Sequence, residues 1–289
     1  MISICLSVVH GKYIKESINS IFNSKFKDFE VVLNDSTHDF YISDIISDYD
    51  VNIIKKQTKS LESRSLTVMA SKGDKIILFD ETRIMTPLLL EKLNSMQNEL
   101  VAIGESDIGK GITTLMSNLD KQSIPKSPKL LSPFKNKSVI PRFYTRNIVN
   151  RALREIYSHL PKSLIREIVA LDLELIYYEA YKISQNLGII PTPEIYHHGD
   201  ENFRAVFKKY YRYGKTQKML RNSYYENFAG LSGRNRFTSS PREFTMSIPL
   251  QIVRGIPFLF GYIRGEVDPV VLNGDERERQ YDDFKNYQR

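Results

Sequence analysis

Short apolar runs and helical stripes take turns about every fifteen residues through the first hundred positions, a rhythm that few architectures accommodate. Residues 2–9 form an apolar, β-branched run ended by His10-Gly11. Ile14, Ile18, Ile21 and Phe22 then fall at helical spacing, and the pattern stops at Asn23-Ser24. A second strand is expected over 29–33, running into Asn34-Asp35-Ser36-Thr37, followed by a helical stripe at Ile42, Ile45, Ile46 and Tyr49. A third strand is expected over 51–54, a helix over 61–69 and a fourth strand over 76–79. The fold class that follows is α/β, with a mostly parallel sheet flanked by helices.

In such a sheet, ligands bind at the carboxyl ends of the strands. The fourth strand ends in a polar cluster, Asp80-Glu81-Thr82-Arg83. Asp80 and Glu81 are adjacent carboxylates placed to hold a hard divalent cation through oxygen and, through that cation, a diphosphate. The same pair could equally cap the next helix or solvate a turn. Asp35 ends the second strand, so both acids lie on one edge and can face one crevice. No Gly-x-Gly-x-x-Gly or Gly-Lys-Ser/Thr follows the first strand, which argues against a dinucleotide-binding Rossmann domain and a P-loop ATPase.

The order and spacing of these segments resemble the inverting glycosyltransferases of family 2, enzymes of GT-A fold that transfer sugars from nucleotide diphosphates. Ser3-Ile4-Cys5-Leu6-Ser7-Val8-Val9 is similar to that family's opening strand, and Tyr13-Ile14-Lys15-Glu16-Ser17-Ile18-Asn19-Ser20-Ile21 to its first helix. Phe29-Glu30-Val31-Val32-Leu33-Asn34-Asp35-Ser36-Thr37 resembles the strand ending in Asp-Asp-Gly-Ser. Arg64 stands where the family has Ala-Arg-Asn, and residues 73–82 match the run into the Asp-x-Asp metal motif. The resemblance implies a donor site in which Asp35 contacts the base or ribose, Arg64 takes part, and Asp80 with Glu81 holds Mg²⁺ or Mn²⁺. Two departures bear on it: Asn34 replaces the first of the paired acids, and Thr82 replaces the last aspartate of the metal motif. Either Asp80 binds the cation with Glu81 or water completing its shell, or the site is metal-poor and relies on cationic side chains.

Further along, a helix is expected over 87–96 and a strand over 100–104. Residues 105–138 are rich in Ser, Lys, Pro and Gly without steady periodicity, which reads as a long loop, either a lid or plain connecting chain. Helices are expected over 146–159 and 164–184. The second contains Leu171-Asp172-Leu173-Glu174-Leu175, which resembles the family's Glu-Asp-x-Glu-Leu segment, whose aspartate acts as base. The resemblance makes Asp172 the group that takes the proton from the attacking hydroxyl, a role worth about 10² to 10⁴ in rate. From spacing alone, Asp172 and Glu174 read as the solvated side of a helix.

Extended pieces at 189–191 and 195–198 are similar to the family's late strand ending in histidine. His197 and His198 are adjacent and point to opposite faces, and no Cys or third His stands at zinc-ligand spacing. One of them, His198, is expected to reach a phosphate oxygen or a metal in the donor site; the alternative is a pair of surface histidines. A helix over 203–220 interleaves Phe203, Phe207, Tyr210, Tyr211 and Tyr213 with Arg204, Lys208, Lys209, Arg212 and Lys215. Its Tyr211-Arg212-Tyr213-Gly214-Lys215 resembles a run that follows the histidine in these transferases, so Arg212 or Lys215 could neutralise the leaving diphosphate. The alternative for both is a solvated basic face.

Residues 248–263 are the most apolar stretch, but Arg254, two prolines and two glycines interrupt it, and it falls short of the roughly 20 residues a spanning helix needs. Between Arg242 and Arg264 it reads as a segment lying in a membrane interface or as a homodimer contact. The expected division is a GT-A-like catalytic domain over 1–220, with a nucleotide-sugar half over 1–104 and an acceptor half over 105–220. A helical, partly membrane-facing extension over 221–265 and a charged tail over 266–289 follow. The formal net charge is +7, and twelve basic residues face four acidic ones between positions 200 and 264, which points to anionic partners. The single cysteine, Cys5, precludes an internal disulfide and reads as a core residue. Residues 2–9 are too short for a secretory signal, so the expected location is cytoplasmic, peripheral at the cytoplasmic face of a membrane.

The resemblance implies a transferase moving a sugar from a nucleotide-diphosphate donor to a hydroxyl of a glycan or lipid-linked acceptor, with inversion. One rival is a nucleotidyltransferase, which wants a Gly-rich basic loop where His10-Gly11-Lys12 stands. The other is a basic nucleic-acid-binding module built on the Tyr/Lys/Arg helix, which leaves Asp35 and Asp80 unexplained.

Overall fold

The computed structural model describes residues 1–109, 111–121, 132–133, 140–200, 202–230 and 241–265. The alternation of the first part is present as β1 (Ile2–Val8), α1 (Ile14–Phe22), β2 (Phe29–Asp35), α2 (Ile42–Ile45), β3 (Asn52–Lys55), α3 (Ser60–Ala70) and β4 (Lys75–Asp80). There follow β5 (Arg83–Met85), α4 (Leu89–Ser95), β6 (Leu100–Ile108), α5 (Ile112–Lys121), β7 (Pro141–Thr145) and α6 (Arg146–His159). The last elements are α7 (Lys162–Glu167), α8 (Asp172–Ile183), β8 (Leu187–His198), α9 (Phe203–Arg221), α10 (Glu226–Gly230) and α11 (Pro241–Arg264).

All eight strands form one sheet in the order β3-β2-β1-β4-β7-β6-β8-β5. β3, β2, β1 and β4 run parallel, β7 is antiparallel to both β4 and β6, β6 and β8 are parallel, and β5 closes the edge antiparallel to β8. The register pairs Val8 with Asp35 and Ser7 with Asp80, so the two acids stand on either side of the end of β1.

Central strands are buried on both faces, and their alternate residues feed two cores. Cys5, Ile76 and Leu78 pack with Val68, Leu153, Ile156 and Tyr177 under α3, α6 and α8. Ile4, Leu6, Ile77 and Phe79 pack with Ile14, Ile18, Leu89 and Leu93 under α1 and α4. Each such side chain contributes about 1.5–3 kcal/mol. Burial pushes the Cys5 thiol up to about 12, in keeping with a core residue.

The helix expected over 164–184 is two helices. Leu171 adopts φ +62°, in the left-handed region, and the chain turns there between α7 and α8. The extended pieces expected at 189–191 and 195–198 are one strand, β8. β5 and β7 were not expected, β6 runs on to Ile108, and α5 occupies part of the stretch read as a loop. The rest of that stretch, apart from Ser132, Pro133 and the residues before α5, falls outside the described residues, as does the 266–289 tail.

α9 and α11 touch backbone to backbone. A Cβ on Gly214 would stand 2.0 Å from the Phe258 carbonyl oxygen, and one on Gly261 2.0 Å from that of Tyr211. Only hydrogen at both positions permits this approach. α11 contains the apolar stretch 248–263, with Pro249 and Pro257 inside the helix. Ile248, Ile252, Ile256, Leu259, Phe260 and Ile263 lie exposed along it at helical spacing. No helix among the described residues is long and apolar enough to cross a membrane.

Candidate active site

A cavity of about 720 Å³ opens where the carboxyl end of β4 meets α8, α9 and α11. A cluster of alternating charges forms one wall. Arg64, from α3, donates through Nη2 to Asp80 Oδ1 at 2.5 Å and through Nε to Asp172 Oδ2, so one guanidinium bridges two carboxylates. Arg83, the first residue of β5, donates through Nη1 to Asp80 Oδ2, and Arg142 Nη1 of β7 reaches the same oxygen at 3.4 Å. Glu105 of β6 accepts from Arg142 Nε and, at 3.4 Å, from Arg83 Nε. No side chain of this set is more than 20% exposed, so solvent screens the charges weakly.

Burial alone would raise the Asp80 carboxyl, but Arg64, Arg83 and Arg142 outweigh it and hold it well below the usual carboxylate range. Burial would likewise favour neutral Arg64, and the charges of Asp80 and Asp172 reverse that. For Arg83, Glu105 and then Asp80 overcome the same penalty.

Backbone geometry places Asp172. A leucine in the left-handed region costs roughly 1–2 kcal/mol, and Leu171 accepts it at the turn that delivers Asp172 to the first position of α8. A carboxylate there is favoured by the helix dipole.

Across the cavity, parallel β6 and β8 bring Asp107 and His197 into register, with His197 Nδ1 2.7 Å from Asp107 Oδ1. α9 supplies Lys209, Tyr210, Arg212 and Tyr213, while α11 supplies Gln251, Arg254 and Phe258. Lys209 bonds Asp200 at 3.2 Å, and the Arg254 guanidinium lies 5.3 Å from the Tyr210 ring centre. Burial raises the Tyr210 and Tyr213 phenols, which keeps both protonated.

Of the residues singled out from sequence, Arg64, Asp80, Asp172 and Arg212 line this cavity together. Asp35 lies outside it, fully buried. Its Oδ1 accepts from the Thr37 N–H at 2.9 Å and the Thr37 hydroxyl at 2.6 Å, and its Oδ2 from the Ile42 N–H at 3.2 Å. Glu81 accepts from the backbone N–H groups of His10, at 2.9 Å, and Gly11, at 2.5 Å, closing the β1–α1 loop; burial raises its carboxyl. His198 stacks on Tyr13 with ring centres 3.8 Å apart and bonds Glu16 at 2.9 Å. Lys215 is exposed and does not line the cavity. The neighbour of His198 in the His pair, His197, does line it, because side chains alternate along β8. Arg83, Glu105, Asp107, Arg142 and Arg254 are cavity groups that sequence reasoning did not assign. Arg83 had a signal, since it follows the strand-end motif directly.

The expected Mg²⁺ or Mn²⁺ can be tested on these side chains. Both oxygens of Asp80 are taken by guanidinium groups, Glu81 bonds the β1–α1 loop, and Thr82 brings no carboxylate. A dication about 4 Å from one guanidinium would be repelled by roughly 8 kcal/mol at an effective dielectric of 20. Among the described residues, no three His, Cys, Asp or Glu side chains are grouped to hold a metal. The side chains as arranged do not fit a divalent cation.

Mixed sheet, flanking helices and a polar cavity at the carboxyl edge give the fold of glycosyltransferases. No protein-family model and no curated protein matches the sequence. Among solved structures, S. aureus TarS 1–349 in complex with UDP-GlcNAc is similar with a TM-score of 0.52 and 13% identity, over 99% of this chain and 90% of that one. A longer S. aureus TarS chain gives 0.52 and 13% over 90% of this chain and 54% of its own, so this chain spans about half its length. Mannosyltransferase PcManGT from Pyrobaculum calidifontis, in complex with GDP-Man and Mn²⁺, gives 0.50 and 12% over 91% of this chain and 72% of that one. At these identities the likeness is one of fold.

Proposed function

We propose that the chain is a glycosyltransferase that moves a sugar from a nucleotide-diphosphate donor to a hydroxyl of a glycan or lipid-linked acceptor, inverting the anomeric carbon. The observation that carries this is the Asp172–Arg64–Asp80 bridge in the cavity wall. The acceptor oxygen attacks the anomeric carbon and the bond from that carbon to the diphosphate oxygen breaks, its electron pair leaving with the diphosphate. The hydroxyl proton passes to Asp172. Arg64 engages Oδ2 of Asp172, which orients the carboxylate and leaves Oδ1 to receive that proton. Once Asp172 is protonated, Arg64 has lost one of its two counter-charges. Positive potential therefore rises as the diphosphate gains negative charge.

In this assignment Asp35 and Glu81 serve the donor by holding the loops after β2 and β1, while Asp80 and Arg212 face the cavity itself. His198 and Lys215 have no place in it. Residues 1–104 form the donor half and 105–220 the acceptor half, except that Arg142 of β7 comes back beside Asp80 on the donor side. α11 turns Gln251 and Arg254 to the cavity and its isoleucines outward, the reverse of a water-facing helix. With Arg204, Lys208 and Lys215 exposed on the adjoining α9, this supports a peripheral seat on an anionic membrane. Sedimentation with anionic vesicles should be lost in Ile252→Ser/Ile256→Ser. A wild-type dimer that ignores vesicles would assign this face to a second copy instead.

The enzymatic assignment is tested by thermal unfolding against UDP, GDP and their sugar conjugates, since a ligand at 100 times its dissociation constant adds about 2.7 kcal/mol. Asp172→Asn should keep that shift and lose transfer by about 10²-fold or more. No shift with any nucleotide, beside tight, salt-sensitive polynucleotide binding, would overturn the proposal in favour of a nucleic-acid module.

A further inference from the structure

On the nucleotide-diphosphate reading above, we infer that Arg83 and Arg142, rather than a divalent cation, neutralise the donor diphosphate, so nucleotide binding here is independent of metal. Arg83 follows Thr82, the position at which the sequence departs from an acidic metal motif, and its Nη1 occupies Asp80 Oδ2, an oxygen a metal would use. Arg142 arrives at the same oxygen from the neighbouring strand β7. Glu105 orients both by accepting from each Nε.

A guanidinium carries five N–H donors in a planar fork that suits phosphate oxygens. The protein bonds of Arg83 and Arg142 use Nε and Nη1, to Asp80, Glu105 and the Leu78 carbonyl. Nη2 of each is engaged by no group among the described residues, and both side chains line the cavity. Charge agrees with this. Arg64, Arg83 and Arg142 are matched by Asp80, Glu105 and Asp172, so the cluster is neutral and each of its carboxylates already has a guanidinium partner. A metal-dependent site would carry an excess of carboxylate awaiting a cation.

The experiment is calorimetric titration of the wild-type chain with UDP and GDP, first with EDTA and then with added Mg²⁺ or Mn²⁺. One nucleotide should bind with the same affinity, within about twofold, in all conditions. Arg83→Gln and Arg142→Gln should each weaken that nucleoside diphosphate by about tenfold or more while leaving the free nucleoside within about threefold. Arg83→Lys, which keeps the charge and loses the fork, should fall between. If either glutamine variant fails to fold, the wild-type metal arms decide alone. Binding that tightens more than about tenfold on adding metal overturns the inference and leaves the nucleotide reading standing. No nucleotide binding in any condition overturns both.

Discussion

Asp35 and Asp80 end parallel strands on either side of β1, yet they are held in opposite ways. Asp35 is surrounded by neutral donors from its own vicinity, Thr37 and Ile42. Asp80 is surrounded by guanidinium groups from α3, β5 and β7, up to 62 positions away in the chain. The first arrangement shapes a local turn, and the second is an electrostatic junction between elements. Position at a strand end therefore does not decide which acid lines the cavity: Asp80 does and Asp35 does not.

The largest effect should come from Asp80→Ala, which removes the carboxylate shared by three buried cations, leaving Arg64 with Asp172 alone and Arg83 and Arg142 to share Glu105, and should cost about 3–5 kcal/mol in urea unfolding. Asp35→Ala leaves two backbone N–H groups and a hydroxyl without their acceptor, for about 1–3 kcal/mol. Equal losses at the two sites would break the distinction. The smallest effect should be acid sensitivity. The Asp80 carboxyl lies well below its unfolded value of about 3.9, so as pH falls the unfolded chain is protonated first. Stability from this carboxylate is complete above about pH 4 and is lost as pH falls towards the folded value. Asp80→Asn should flatten the fall in stability below about pH 4, and an unchanged slope would remove the junction from the account of Asp80.

Most of the fold of the first hundred residues was legible because β1, β2 and β4 are apolar runs separated by helices of steady period. β5 was not, because three residues beginning with arginine carry no periodicity. β7 was not either, since Pro141-Arg142-Phe143-Tyr144-Thr145 has most of its residues buried, arginine included, and so shows no alternation. The break before α8 was hidden because leucine, rather than glycine, occupies the left-handed turn within an apolar run. For the site, Arg64, Asp80 and Asp172 were named from their motifs, and the structure gathers them. Arg142 and Glu105 reach the cluster only through the antiparallel pairing of β7 with β4 and β6, contacts that no local pattern announces.

The reciprocal seating of Gly214 and Gly261 divides the history open to the C-terminal helix. Its height over the cavity is set by main chain resting on main chain, so the outward isoleucines bear none of that position. A single methyl at either glycine would meet main chain and displace the helix that brings Gln251, Arg254 and Phe258 to the cavity. The outward face can therefore change its side chains without moving the residues that line the cavity.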